Sequence, residues 1–416
     1  MILSKTFLIT GLLTISINAT TLKDIIVNTI NNNQNIQSNK IQNKSLEKTY
    51  QSVQNQYNPT ITIGANYLKL DKDLRNVQIG QTITGFAKIS IDLYNGGKNN
   101  ALKKQKQYQY QSGLHNNNML INKTILQVVT LYYQTKTIIE NIKVLQEKAN
   151  ALKAQYNRIK TKYKLQMTTQ DEVLKFQAEY DSNQYQIAQL EYQKEQLLQT
   201  ISLISHSHIT DLDDVTLPNV SNLTYQPSQA IKALELSLKA QQENKNIIAS
   251  SKKIQIKLED NYNIYNYDDY NSRLLTDLPD QQNQLMLNIS YKLFDTSSKN
   301  KIQAAQLAKQ SIAKQLDYLQ EQEQTNFQLA KKQLTTAKLK IISLKSAVKM
   351  ANSVYKIIKT KYENGVVDNI AYLDALSKKI YNLALYKQAL NDYEISKANY
   401  YFTSGIGYKQ FLNIWE

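Results

Sequence analysis

Two groupings of side chains in this sequence have the composition of a chemical site. His206-Ser207-His208, with Asp211, Asp213 and Asp214 just after it, gathers imidazole and carboxylate donors into one short segment. Those donor types bind zinc, but the segment has no helical i,i+4 pair and no cysteine, so it reads as a polar loop. Gly96-Gly97-Lys98 follows a strand-like run and opens a helix-like one. It lacks the first glycine and the closing hydroxyl residue of Gly-x-x-x-x-Gly-Lys-Ser/Thr, and is not a phosphate loop. No serine–histidine–acid or cysteine–histidine arrangement has supporting motif context. The expectation is a protein that performs no reaction and needs no cofactor or metal.

The elements that carry these residues must be long. The chain has 416 residues with only 10 glycines and 4 prolines, which leaves little material for turns. It has no cysteine, which excludes a disulfide framework and thiolate-bound metals. Apolar residues make up 42%, and no run of 18 apolar residues follows residue 20, so no transmembrane helix is expected. Tyrosine is abundant, at 29 against 7 Phe and 1 Trp, which suits surfaces that are part apolar and part wet. Residues 1–19, MILSKTFLITGLLTISINA, place Lys5 before an apolar stretch and a small residue, Ala19, at its end. That is the pattern of a cleaved secretory signal. An exported chain seldom meets nucleic acid. The net charge of +16 is carried by lysines spread among Gln and Asn at helix-face intervals, which reads as a solvated face. Lys69, Lys72 and Arg75 are placed to meet anionic lipid head groups.

A unit of about 200 residues is written twice. Leu131, Ile138, Leu145, Leu152 and Ile159 recur every seven residues, interleaved with Ile142, Ala149 and Tyr156. The pattern returns 199 residues later as Ala330, Ala337, Leu344, Ala351 and Ile358, with Ile341, Val348 and Tyr355. Both stripes run into the same tetrapeptide, Lys160-Thr161-Lys162-Tyr163 and Lys359-Thr360-Lys361-Tyr362. A tandem duplication follows, with residues 1–19 as signal, 20–217 as the first repeat and 218–416 as the second. Each repeat is expected to hold a helix, a β-hairpin and a long helical hairpin.

The strands alternate. Ile61, Ile63, Ala65 and Tyr67 oppose Thr62, Gly64 and Asn66, and Ile83 to Leu93 alternate with Thr84, Lys88, Ser90 and Asp92. In the second half Ile254, Ile256 and Leu258, then Leu285, Leu287, Ile289, Tyr291 and Leu293, repeat the pattern. One apolar and one polar face over ten or more residues is the pattern of a bilayer-spanning β-strand. Four strands cannot close a barrel, and an open sheet leaves unpaired backbone in hydrocarbon, so several chains must share one barrel. The other reading is two soluble hairpins on a helical body. A polar helix is expected from about residue 22 to 56, ended by Asn58-Pro59. From Gly97 to Tyr163 there is no proline and one interior glycine, Gly113, which predicts a helix about 100 Å long. Helices are also expected over about 171–204, 299–362 and 370–401. Their heptad stripes imply side-by-side packing.

The strand-to-helix junctions Leu93-Tyr94-Asn95-Gly96-Gly97 and Leu293-Phe294-Asp295, and the segment from Lys361 to Ala375, resemble the TolC-like outer-membrane efflux family. In that segment Tyr362, Gly365 and Leu373-Asp374-Ala375 match the family's Tyr-x-x-Gly…Leu-Asp-Ala turn. The first-half copy keeps Tyr163 but has Gln166 in place of the glycine. The resemblance covers the whole chain after the signal. It implies a mainly α fold with transmembrane β: a homotrimer with a 12-stranded outer-membrane barrel, four strands per chain. A coiled-coil tunnel would continue it through the periplasm, closed at the helical tips. It also implies a periplasmic adaptor and an inner-membrane transporter, of resistance or ABC type, as partners.

By the same resemblance Asp374 faces the constriction, where three copies would form a cation-attracting ring. A solvated helical aspartate is the competing reading. Glu172, with Asp171 beside it, matches a first-copy carboxylate and adds a candidate layer. Tyr163, Tyr362 and Gly365 belong to the tip turn and its latch, with adaptor contact as a second role, and core tyrosines as the alternative. Ala371 and Val367 depart from an expected aspartate and arginine, so ring and latch would be built differently. The function implied is passive conduction of small toxic molecules across periplasm and outer membrane. Export of an unfolded polypeptide in type I secretion is the alternative within that class, and a periplasmic coiled-coil scaffold without a pore is the alternative outside it.

Overall fold

The computed structural model describes residues 21–56, 58–71, 76–220 and 222–413. The signal segment 1–19, Lys72 and Arg75 lie outside the described residues. The elements are α1 (Leu22–Asn32), α2 (Gln34–Gln54), β1 (Thr60–Lys69), β2 (Gln81–Asn95), α3 (Lys98–Lys164), α4 (Gln170–Ser205), α5 (Gln229–Ser250), β3 (Gln255–Asp268), β4 (Gln281–Ser290), α6 (Thr296–Glu363), α7 (Asn369–Thr403) and α8 (Tyr408–Asn413). The fold is mainly helical with one small antiparallel sheet. Among the described residues no helix is long and apolar enough to cross a membrane.

The long helices and the first hairpin form close to their expected bounds; β4 spans Gln281–Ser290, so Tyr291 and Leu293, expected within that strand, lie beyond it. The expected first helix differs: it is two helices, broken at Asn33. There the backbone turns extended, and the Asn33 side chain accepts from the Ile36 N–H at 3.1 Å while donating to the Ile204 carbonyl at 2.8 Å. An asparagine that caps the next helix and ties down a third is worth more there than one more helical turn. Gly96 and Gly97 both have positive φ, 67° and 86°, so the Gly-Gly-Lys run is a strand-to-helix corner. Asn95 closes it by accepting from the Asn99 N–H at 3.2 Å, and Asp295 caps α6 by accepting from the Ser298 N–H at 3.0 Å.

The chain divides into two compact units, each drawing segments from both halves of the sequence. One comprises 38–119 and 227–324 and holds the sheet, in the order β1-β2-β3-β4, antiparallel throughout. Its register pairs Ile61 with Ile89, Ile89 with Asp260 and Asp260 with Leu285; it also pairs Ile63 with Ala87, Ile91 with Leu258 and Leu258 with Leu287. Directly opposed residues share a face, so the apolar positions of all four strands form one surface, interrupted on β3 by Asp260. That surface is open: Ile63 is 81% exposed, Leu285 69% and Ile289 62%. The other face carries Thr62, Thr84, Lys88, Glu259 and Asn288. On it Glu259 accepts ion pairs from Lys88 at 3.0 Å and Lys257 at 2.6 Å. In the same unit α2 lies so close to α3 that a Cβ on Gly113 would sit 2.1 Å from Asn43 Oδ1, which accounts for the single glycine inside α3.

The other unit comprises the described parts of 1–37, 120–226 and 325–416. Its larger core joins Leu22, Ile25 and Ile26 of α1 to Ile125, Val128, Val129 and Tyr132 of α3, Leu198 and Ile201 of α4, and Tyr401 of α7. A linker between α4 and α5 crosses this core as a strap. The Tyr132 hydroxyl donates to the Asp213 carbonyl, and Tyr133 to that of Val215 at 3.0 Å. Leu217 is held at both ends, its N–H on Glu394 at 2.7 Å and its carbonyl on Lys397 at 2.6 Å. Lys397 and Glu394 pair with each other at 2.7 Å, with side chains 4% and 10% exposed.

Candidate functional site

The ends of the two helical hairpins carry the residues singled out in the sequence. Both turns have the same hydrogen bonds one repeat length apart. In the first, Met167 N–H donates to the Lys162 carbonyl at 2.9 Å and Gln166 N–H to that of Tyr163 at 2.9 Å. In the second, Val366 donates to Lys361 at 2.8 Å and Gly365 to Tyr362 at 3.1 Å. This six-to-one and five-to-two pair closes a helix with a left-handed residue. Gly365 fills that position at φ 73°, with open space around it, and Gln166 fills it at φ 57°. The next helices start differently. Asp368 caps α7 by accepting from the Ala371 N–H at 2.9 Å, whereas Thr169 makes no side-chain cap to the α4 backbone.

Behind the turns the two hairpins share a core of Val144, Leu152, Ile159, Phe176, Tyr362, Tyr372, Leu376 and Ile380. Its centre is aromatic. Tyr362 stacks on Tyr372 with ring centroids 5.0 Å apart, Phe176 lies 6.4 and 6.3 Å from the two, and the Tyr355 hydroxyl sits 3.3 Å from that of Tyr372. Burial, with the nearby Glu172 carboxylate second, pushes the Tyr362 phenol up to about 12. Its hydroxyl has no hydrogen-bond partner among the described residues. Tyr362 is therefore a core tyrosine, whereas its counterpart Tyr163 is 42% exposed and outside the cluster. The two hairpins are also tied by Arg158, which donates to the Glu363 carbonyl at 2.9 Å.

Each of the acidic residues is engaged locally. Glu172 is half-buried in the first turn of α4 and accepts from the Thr168 hydroxyl. Asp171 is exposed and pairs with Lys175 at 3.8 Å; the Thr169 side chain is the main cause holding its carboxyl below the usual range. Asp374 is exposed in the second turn of α7 and pairs with Lys378 at 2.7 Å. Val367 packs against the aromatic core. His206 ends α4 as its left-handed cap, φ 51°, and among the described residues no group of three His, Asp or Glu side chains could hold a metal ion. Sequence reading missed Phe176 and Tyr372, which the heptad stripes of α3 and α6 do not include. It also missed Arg158, Glu394 and Lys397, which no local pattern marks.

A family model described as Outer membrane efflux protein matches residues 25–205. Nearly the whole chain superposes on solved channels. The fold is that of the TolC-like outer-membrane channels. A membrane protein from Pseudomonas aeruginosa aligns at TM-score 0.82 with 13% identity, covering 93% of this chain and 90% of that one. The outer-membrane channel CmeC from Campylobacter jejuni aligns at 0.81 with 14% identity over 92% and 85%. VceC, an outer-membrane protein from Vibrio cholerae, aligns at 0.78 with 12% identity over 93% and 96%. Among curated proteins none matches in sequence. The TolC-like resemblance read from the junctions and the tip turn thus agrees with a sequence match in the first half and a fold match throughout.

Proposed function

We propose that three copies of this chain form an outer-membrane exit duct for efflux, extending into the periplasm, in which small toxic molecules pass without any reaction. The observation that carries this reading is the sheet. Its apolar face is exposed across four strands, and β1 and β4 leave both edges unpaired. In hydrocarbon each unpaired backbone group costs several kcal/mol, so β4 of one copy must pair with β1 of the next until the barrel closes. Four strands per copy and the TolC-like fold make the closed form twelve strands from three copies, with the polar face lining the channel.

Two helix faces support the same assembly. Leu174, Tyr185, Tyr192 and Leu203 on α4, and Ile342, Met350 and Ile357 on α6, are exposed apolar stripes at helical spacing, suited to neighbouring copies. The repeats 20–217 and 218–416 are read as a tandem duplication, since α6 and α7 begin 198 and 199 residues after α3 and α4. Asp374, with Glu172 and Asp171 as a further layer, is assigned to the constriction at the tips. Tyr163, Tyr362 and Gly365 are assigned to the tip turns that repack when they open and meet a periplasmic adaptor. An apolar groove of about 400 Å³ behind the tips, lined by Val144, Leu145, Leu190, Ile380 and Tyr381, suits a partner helix. An inner-membrane transporter would supply the energy.

The test uses the absence of cysteine from the chain. Single cysteines at Ile61, Ile63 or Ala65, each combined with one at Leu285, Leu287 or Ile289, are oxidised in membranes. At least one pair should give a dimer and a trimer and nothing larger on a non-reducing gel. Monomer alone from every pair, together with release of the protein from washed outer membranes, would overturn the duct and favour the scaffold.

A further inference from the structure

β3 runs past the apolar alternation into Tyr265-Asn266-Tyr267-Asp268-Asp269-Tyr270. The register sets Tyr265 opposite Thr84 and Tyr267 opposite Thr82, which puts both tyrosines on the polar face at the end of the sheet that carries the hairpin loops. Their rings are parallel, 11° apart with centroids at 5.6 Å, and Tyr270 meets Tyr267 edge-on at 6.4 Å. The stack is anchored at its hydroxyls: Tyr267 donates to the Pro279 carbonyl at 3.0 Å and Tyr265 to Gln282 Oε1 at 3.4 Å. The two hairpin loops are tied together beside it, by Asn271 Nδ2 on Asn76 Oδ1 at 2.7 Å and by Gly80 N–H on the Asp269 carbonyl at 2.9 Å. Tyrosines on a bilayer-facing surface would need no further explanation. Tyr265 and Tyr267 stand on the opposite face.

The charge of the second hairpin loop runs against that of the chain. Residues 265–280 hold four carboxylates, Asp268, Asp269, Asp277 and Asp280, and one cation, Arg273, in a protein of net charge +16. A ladder of anchored ring faces beside carboxylates is matched by a flat ring that carries positive charge. The ring extends the stack, and the charge is attracted by the aromatic faces and the acids together.

We propose that Tyr265, Tyr267 and Tyr270 form a binding site for planar organic cations at the external mouth of the channel, one per copy. This rests on the barrel reading above, with the polar face inward, and names a class of cargo for it. Three copies place three such ladders around one opening, where cargo leaves the duct.

The test is channel block by ethidium, added on the loop side of the full-length protein in planar bilayers. In the double variant Y265A/Y267A the half-blocking concentration should rise about tenfold, as loss of stacking and cation–π contact implies. In Y265F/Y267F, which keeps the ring faces, it should stay within roughly threefold of the wild type. Naphthalene disulfonate, flat but doubly anionic, should block the wild type no better than it blocks the alanine variant. Ethidium block that is equal in wild type and alanine variant, with single-channel conductance unchanged, would overturn this inference alone. A wild-type protein that forms no channels would overturn the barrel reading and this site with it.

Discussion

Gln166 and Gly365 occupy the same position of two helix ends, and only one of them is suited to it. A side chain in the left-handed region costs ~1–2 kcal/mol. Glycine there gives some of that back through the greater freedom of its unfolded chain. Gln166→Gly should therefore raise stability by up to about 1 kcal/mol, and Gly365→Ala should lower it by about 1 kcal/mol. Thermal unfolding of the protein in detergent reads both, and the reverse order would contradict the turn geometry. Asp374 raises a different matter at this scale, since Lys378 lies within 2.7 Å of it. An exposed pair of this kind is worth only ~0.2–1 kcal/mol, so the lysine offsets the carboxylate's field in part. If the proposed trimer sets three copies of Asp374 at its constriction, Asp374→Asn should lower cation over anion permeability. Lys378→Ala should raise it, by up to roughly fivefold. Reversal potentials in a salt gradient distinguish these outcomes from no change in either variant, which would remove Asp374 from the constriction.

At the scale of elements, long helices are registered by buried polar ties as much as by their heptads. Lys397 and Glu394 on α7 hold both backbone groups of Leu217 in the strap. Lys397→Met removes one partner and leaves the Glu394 charge buried, which should cost about 3–5 kcal/mol. Chemical denaturation of the full-length protein measures it, and a loss under about 1 kcal/mol would show that the strap is not held by this pair. Between α3 and α7, Glu140 accepts from Lys143 and from Lys387, each at 2.8 Å. Burial by itself would raise its pKa, but the two lysine hydrogen bonds outweigh that and hold it below its ordinary value of 4.5. A depressed carboxylate stabilises the fold above its unfolded pKa and loses that contribution as pH falls through the lower folded value. The wild type should thus lose stability on acidification below about pH 4.5 more steeply than Glu140→Gln does. Parallel melting curves for the two proteins would remove this pair from the acid response.

At the scale of the whole molecule, a single chain leaves an apolar sheet face without cover in one unit and two helical stripes without cover in the other. A change on such a face should leave the fold of one chain intact and act on assembly. Ile63→Lys on the sheet and Met350→Lys on α6 are therefore expected to weaken the proposed trimer in membrane extracts, with little change in helical content. Size-exclusion chromatography with light scattering would show it. An unaffected trimer in both variants would mean that these faces meet something else.

Much of this architecture is local in origin, and so was legible in the residues. Period-two alternation marked the strands, seven-residue stripes marked α3 and α6, and the scarcity of glycine and proline required them to be long. Asn33 defeated the pattern because its side chain bonds to Ile204, a residue no window around it contains. The tip turns were visible as Tyr-x-x-Gly in one copy, and the other copy folds alike although it carries Gln166. Backbone hydrogen bonding at a helix end asks for a conformation, and glycine is only the cheapest residue to supply it. Only tertiary structure separated the two tyrosines of the shared tetrapeptide. Tyr362 meets Phe176 and Tyr372 from two other helices, while Tyr163 meets none of them. Sequence by itself determined where the long helices and the strands form and which faces are apolar, because those follow from backbone preference and side-chain period. Which residues pair across about two hundred positions, such as Leu217 with Lys397 or Arg158 with Glu363, was decided only when the helices packed, because those contacts depend on how separate elements meet.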